Sequence, residues 1–282
     1  MGRYLNFPYL SLRLLRRFCP DWLARPLLSN DRLPPSILFN ACQQYLSLLT
    51  EFKIPVAGRS IVELGPGAYN LSALGLLTQG AEKIVFIEPS RHRPHPIKLK
   101  ERLQHFWGLL PEPKTPDFAT LWQDIQTHHH RVEYHNAHAE KTGLSPDSVD
   151  IILSRSVMEH VRNMPLAFED QWRILKPGGA FVHFIDLRDH FFRYPFEMLT
   201  VPTWLWEKGL TGSGNSGYQN RLRTDDYAQL AKQAGFHAVR FLALSRAPEA
   251  YRLIKKHLHP HFQGRPDEVM NITVLALSGV KA

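Results

Sequence analysis

A chain of 282 residues with 44% hydrophobic content can bury one large core, and its net charge of +8 (34 basic against 26 acidic side chains) favours acidic partners without fixing a function. Two cysteines, Cys19 and Cys42, exclude a disulfide framework or a cysteine-based zinc site and point to a reducing cytosol. No apolar run reaches the ~18 residues that a bilayer span needs, and no apolar stretch with a cleavage site opens the chain, so neither a membrane span nor secretion is expected.

The first 32 residues hold six arginines and two aspartates. Leu5, Phe7, Leu10, Leu12, Leu14, Leu15 and Phe18 alternate with Arg3, Arg13, Arg16 and Arg17. This basic amphipathic pattern suits a lid packed on the domain, or else peripheral contact with an anionic membrane. Pro34-Pro35 interrupts it, and Ser36 is the candidate cap of a helix over 36–52 carrying Ile37, Leu38, Cys42, Tyr45, Leu46 and Leu49. Residues 1–56 therefore read as a helical arm and 57–282 as the main domain.

Ile61, Val62 and Leu64 form a buried strand that ends in Gly65-Pro66-Gly67, and a helical pattern follows from Tyr69 to Thr78, closed by Gly80. Glu63 lies at the carboxyl end of that strand, the edge where open α/β sheets bind ligands. The dinucleotide fingerprint is incomplete, because position 70 is Asn and not Gly. A second strand, 83–87, ends at Glu88, an acid placed to accept hydrogen bonds from ribose hydroxyls. Residues 91–130 read as an irregular insertion with one helix near Ile97–Leu110. The run His128-His129-His130 is no expected metal site, since consecutive side chains point in different directions.

Further strands are expected over 131–135, 149–154 and 180–186, with a helix of about 163–175 and a Lys176-Pro177-Gly178-Gly179 turn before the last of them. Residues 187–222 are rich in aromatic and polar side chains and form a second insertion, placed for a substrate cap. Thr224 is the candidate cap of a helix to Gly235, and strands over 236–245 and 269–278 flank another helix. The fold class is α/β: a Rossmann-like, seven-stranded, mostly parallel sheet with helices on both faces, an N-terminal helical lid and a substrate-cap insertion after the fifth strand.

These landmarks together resemble the class I S-adenosylmethionine-dependent methyltransferases, most of all the type 11 group. Glu63-Leu64-Gly65-Pro66-Gly67 is similar to the family's first motif and Glu88 to its acid after the second strand. Asp150–Ser154 with Val157-Met158-Glu159-His160-Val161 resembles the fourth-strand motif, and Leu175–Gly179 the turn before the fifth strand. The match spans about 57–186, with Ala234-Gly235-Phe236 as weaker support.

The resemblance implies S-adenosyl-L-methionine as cofactor. Glu63, Gly65 and Gly67 would line its methionine part, Glu88 would hold the ribose, and the loop with His138 and Ala139 would meet the adenine. Ser154 and Arg155 would lie beneath it. Two positions depart from the family pattern: Tyr69 stands where a third glycine is common, and His138 where an aspartate is common. Methyl transfer needs a base only if the acceptor is protonated at neutral pH. His190 is the first candidate, with Asp186 and His160 beside it and Asp189 close by; a structural role is the alternative for each.

No Asn/Asp-Pro-Pro-Tyr/Phe tetrapeptide follows the fourth strand, which argues against planar amide or base nitrogens as targets. The expected acceptor is a small or mid-sized organic molecule, such as a natural product, sugar or lipid precursor, methylated on oxygen or nitrogen in the cytoplasm. Nucleic acid and metal are not expected. The alternatives are a methyltransferase-like interaction protein without catalysis, an RNA methyltransferase and, at the level of fold, a nicotinamide dehydrogenase.

Overall fold

The computed structural model describes residues 34, 36–67, 71–89, 95–128, 130–190, 195–210 and 218–282, with five residues between Phe7 and Leu14. Most of the basic arm, Tyr69, and the segments 191–194 and 211–217 of the second insertion lie outside the described residues.

Seven strands form one sheet in the order β3-β2-β1-β4-β5-β7-β6. β1 (Ser60–Leu64), β2 (Lys83–Ile87), β3 (Val132–His135), β4 (Val149–Arg155) and β5 (Leu175–Asp186) run parallel. β7 (Ile272–Lys281) is antiparallel to β5 and to β6 (Phe236–Arg246). The chain leaves β1 toward β2 and β3, then returns to β4 on β1's other side. That reversal opens a crevice outside the carboxyl ends of β1 and β4, where doubly wound sheets bind ligands.

Both faces of the central strands are covered, which is why these strands read as nearly unbroken apolar runs. Ile61, Ile84, Phe86, Ile151 and Leu153 join one core with α1 (Ser36–Glu51), the 3₁₀ helix Ser72–Gln79, α2 (Pro96–Leu109) and α3 (Phe118–Thr127). Val62, Val85 and Ile152 point the other way, into a core with α4 (Met164–Ile174) and α5 (Thr224–Gln233). The alternation is the two-residue period of a strand. Gly80 ends the 3₁₀ helix at φ 81°.

Several boundaries differ from the sequence reading. The first insertion contains a second helix, α3, whose start is capped by Asp117 accepting from the Thr120 N–H at 2.8 Å. Ser36 is the first helical residue of α1. β5 begins at Leu175, because Leu175 already pairs with Val149 before the ladder shifts register. β7 starts at Ile272, since Asp267–Met270 forms a helical turn. Thr224 is the first residue of α5 and not its cap; the Asp226 carboxylate instead accepts from the Arg223 N–H at 2.9 Å. No helix among the described residues is long and apolar enough to cross a membrane.

A third core joins the insertion after β5 to the segment between β6 and β7. Phe196, Leu199, Trp206 and Leu210 pack with Tyr251, Ile254, Phe262 and Met270. Two buried arginines stitch this body together through backbone carbonyls. Arg221 donates to Met198 O (3.1 Å) and Val201 O (2.7 Å). Arg223 donates to Leu187 O (2.8 Å), Met270 O (3.0 Å) and Ile272 O. Burial lowers the Arg223 pKa to about 10, which still leaves it cationic at neutral pH. Replacing Arg223 with Met would strand three buried carbonyls, so Arg223→Met is expected to lower unfolding stability by about 3 kcal/mol or more. A urea titration against wild type measures this; an unchanged midpoint would contradict the bridging role.

Candidate active site

The crevice is floored by the turn after β1. Gly65 sits at φ +63°, a conformation that side chains disfavour, and donates its N–H to Ile87 O at 2.8 Å. A Cβ there would lie 2.6 Å from Val157 Cγ2, so the turn rests directly on the segment that leads into Glu159 and His160. Gly67, also at positive φ, donates its N–H to Glu88 Oε2 at 2.9 Å. Glu88, just past β2, thus faces the β1 turn, and Asn136 from beyond β3 donates to the Glu88 carbonyl at 3.0 Å.

Glu63 is buried at the end of β1 and accepts three hydrogen bonds: from the Tyr45 hydroxyl (2.9 Å), the Ser72 hydroxyl (3.0 Å) and the Ala73 N–H (3.1 Å). Burial raises its pKa to about 7, against the opposing pull of these donors and of Arg155. A carboxylate offers about four acceptor positions, so room remains for one more donor. The same burial, beside Glu63, pushes the Cys42 thiol up to about 12 and makes it inert.

Ser154, on β4, is fully buried, and its hydroxyl meets His183 Nδ1 at 2.9 Å. His183 Nε2 in turn lies 2.8 Å from Gln171 Oε1. Burial holds the His183 pKa down to about 3, so this chain is neutral and belongs to the sheet interior. Arg155, the next residue, is exposed; it donates to Gln44 Oε1 of α1 at 3.0 Å and lies over the Phe184 ring. His138 is exposed after β3 and forms a small bridge with Lys141, while Ala139 is buried beside it.

Beyond β4 and β5 the structure gathers His160, Asp186 and His190, together with Glu159 and Arg188. Asp186 accepts from Arg188 at 2.6 and 2.9 Å, and His190 Nε2 stands 3.5 Å from Asp186 Oδ2. Burial alone would raise the Asp186 pKa; the bonds from Arg188 and the nearby His190 ring outweigh it and keep the carboxyl well below the usual range. The rings of His160 and His190 lie 5.0 Å apart. His160 Nδ1 is 2.6 Å from the Tyr218 carbonyl, and burial lowers its pKa, which keeps the ring neutral.

Glu159 is 3% exposed. One of its oxygens accepts the Asp186 N–H at 3.3 Å, and burial, together with the Asp186 charge, raises its pKa well above the carboxylate range. Residues 218–220 strap the cluster in place. Gln219 accepts from the His190 N–H and donates to Arg188 O, while Asn220 binds the backbone of Met158, Glu159 and Val161.

Every candidate from the sequence therefore lies at or just beyond the carboxyl ends of β1 to β5. Glu63, Gly65, Gly67 and Glu88 sit together at the ends of β1 and β2, and His160, Asp186 and His190 form the neighbouring cluster. Ser154 is turned inward. Sequence reasoning missed the partners: Tyr45, Gln44, Arg188, Gln219 and Glu159. Glu159 had one signal, an acid directly after the apolar Val157-Met158 of the fourth-strand motif.

The model of a family described as a methyltransferase domain matches residues 32–240. No curated protein matches the sequence. Among solved structures, phosphoethanolamine N-methyltransferase 2 of Haemonchus contortus, bound to phosphomonomethylethanolamine and S-adenosylhomocysteine, superposes with a TM-score of 0.51 at 15% identity; 97% of this chain and 60% of that chain are covered. An S-adenosylmethionine-dependent methyltransferase from Mesorhizobium loti gives a TM-score of 0.49 at 15% identity over 86% of this chain and all of that one.

The raised Glu63 pKa has a definite sign. Folded Glu63 holds its proton up to about 7, against 4.5 for the ordinary carboxyl, so folding is favoured on the acid side of that window and loses stability as pH rises through it. The stability of wild type relative to Glu63→Gln should fall by about 3 kcal/mol between pH 4.5 and pH 8. Urea midpoints of both proteins across that range measure it; parallel curves would show that Glu63 is ionised throughout.

Proposed function

The chain belongs to the methyltransferase-domain family, and on that premise we propose that it transfers a methyl group from S-adenosylmethionine to a hydroxyl or amine of a small or mid-sized organic acceptor. The observation that carries this reading is the direct contact between the β1 turn and the segment bearing His160. A cofactor on the turn and an acceptor on the His160–Asp186–His190 cluster would be immediate neighbours.

The residues present fit such a cofactor. The turn through Gly65 and Gly67, both at positive φ, would carry the methionine part, and Glu63 has acceptor capacity left for an ammonium group. Glu88 would exchange its bond with Gly67 for ribose hydroxyls. Ala139 and His138 would border the adenine, and Arg155 the mouth, with buried Ser154 shaping the floor. S-adenosylmethionine supplies a methyl carbon made electrophilic by its sulfonium.

The chain's own task is then to align the acceptor, exclude water and take up a proton. Alignment of reactants is worth ~7–11 kcal/mol in favourable cases. His190 Nε2 would accept the acceptor's proton, and ionised Asp186 at 3.5 Å would stabilise the imidazolium that results. Neutral His160 borders the same space. Residues 1–56 would act as a lid: α1 already reaches the site through Tyr45 and Gln44. The insertion 187–222 would form the acceptor cap, which its packing as a separate core supports.

Calorimetric titration with S-adenosylmethionine should show saturable binding by wild type. A folded Gly65→Val protein should show none, because the new side chain collides with Val157; unaltered affinity would misplace the site. His190→Ala should lower turnover by about 10²–10⁴-fold while leaving cofactor affinity within threefold. Turnover is read by incorporation of labelled methyl from the cofactor into a cell extract; full activity in the variant would remove His190 from the reaction.

A further inference from the structure

We propose that Glu159, His160 and His190 form a binding site for one divalent transition-metal ion at the carboxyl ends of β4 and β5. A ligand atom from each of the three side chains lies within 4.8 Å of the others. With metal bonds of about 2.0–2.2 Å, neighbouring ligands stand ~3 Å apart and opposite ones ~4.2 Å. His190 Nε2 and Glu159 Oε1 are already 4.0 Å apart, so small side-chain rotations close the triangle.

Two further features point to a cation and not to an idle cluster. Glu159 Oε2 is buried and has no hydrogen-bond partner among the described residues. A buried acceptor without a donor is costly, and each such atom calls for an explanation such as an ion. The second feature is the tautomer of His160. Its Nδ1 faces the Tyr218 carbonyl, which can only accept, so Nδ1 must carry the proton and Nε2 keeps its lone pair. A metal-bound histidine usually donates its far N–H to a carbonyl or carboxylate, which fixes the ring's tautomer and orientation. The Gln219 side chain accepts from the His190 N–H, and the Asn220 N–H donates to the Glu159 carbonyl.

Two imidazoles and one carboxylate favour zinc, iron, cobalt or nickel over magnesium or calcium, which prefer all-oxygen sites. Three protein ligands also leave positions open for a further ligand. Asp186 is not one of the three, because Arg188 already occupies it. Occupation would take the His190 Nε2 lone pair, so a bound ion and proton acceptance by His190 exclude each other. That consequence alone rests on the proposed methyl transfer; the binding itself does not.

The test uses the full chain, freed of metal with a chelator and titrated with Co²⁺ and Zn²⁺ in the absence of cofactor. Calorimetry and the visible absorption of Co²⁺ should report one ion per chain with micromolar or tighter affinity. Glu159→Gln and His160→Ala should each weaken binding at least tenfold. His257→Ala/His261→Ala, which removes a half-buried and an exposed histidine elsewhere, should leave it unchanged. Absence of a saturable Co²⁺ spectrum, or equal affinity in all variants, overturns the site. Should the variants fold poorly, X-ray absorption of the Co²⁺-loaded wild type decides: two imidazole nitrogens support the site, and an all-oxygen shell overturns it. In a protein that turns over, one equivalent of Zn²⁺ should lower the rate at least tenfold, reversed by chelator. Binding without inhibition would remove His190 from the ligand set while leaving the methyl-transfer reading intact.

Discussion

The buried carboxyl of Glu63 ties three separate pieces of chain to one point. Tyr45 comes from α1, Ser72 and Ala73 from the start of the 3₁₀ helix, and Glu63 itself from β1. Burying an acid is unfavourable unless donors surround it. Here the donors are supplied by the same elements that cover the first face of the sheet. The position of α1 and the path of the chain out of the β1 turn are therefore set together, and the crevice inherits its shape from that requirement.

Glu159 is the contrasting case. It is as deeply buried, in the 3₁₀ turn just beyond the neighbouring strand, but one of its oxygens lacks a donor among the described residues. Asp186, close by, is ionised and fully engaged by Arg188, so the negative charge of this corner resides on Asp186. Glu63 stabilises the architecture of the turn, whereas Glu159 is held at a cost, its carbonyl bonded by Asn220 while Tyr218 and Gln219 hold His160 and His190 beside it. Unmet hydrogen-bonding capacity beside two histidines is a feature that packing does not explain.

The sheet was legible in the sequence because its strands are buried on both faces and read as apolar runs cut by glycine turns. Gly65 and Gly80 were legible as turns, since their positive φ leaves few alternatives to glycine. α3 was not, because Pro111, Pro113 and Pro116 crowd its approach and obscure the Asp117 cap. The site was legible as a set of strand ends but not as a set of bonds. Tyr45–Glu63, Ser154–His183 and Arg155–Gln44 join residues 18, 29 and 111 positions apart, and no local pattern encodes such pairs. Ser154 shows the consequence: the family resemblance implied a place beneath the cofactor, and its hydroxyl is bonded to His183 inside the sheet.

The third core illustrates how buried cations can serve the backbone. Arg221 and Arg223 sit in the interior of the third core or at its boundary, and both donate to backbone carbonyls where the chain turns irregularly. Irregular backbone cannot satisfy its own carbonyls as a helix or sheet does. A guanidinium, with five donors in a plane, can satisfy several at once and remain charged. Leu187, which Arg223 holds, directly follows Asp186, and the strap residues Gln219 and Asn220 directly precede Arg221. The two arginines thus hold the chain at Leu187, shortly before His190, and again beside Gln219 and Asn220, so the geometry of the cluster depends on a third core whose own stability comes from carbonyls gathered around buried cations.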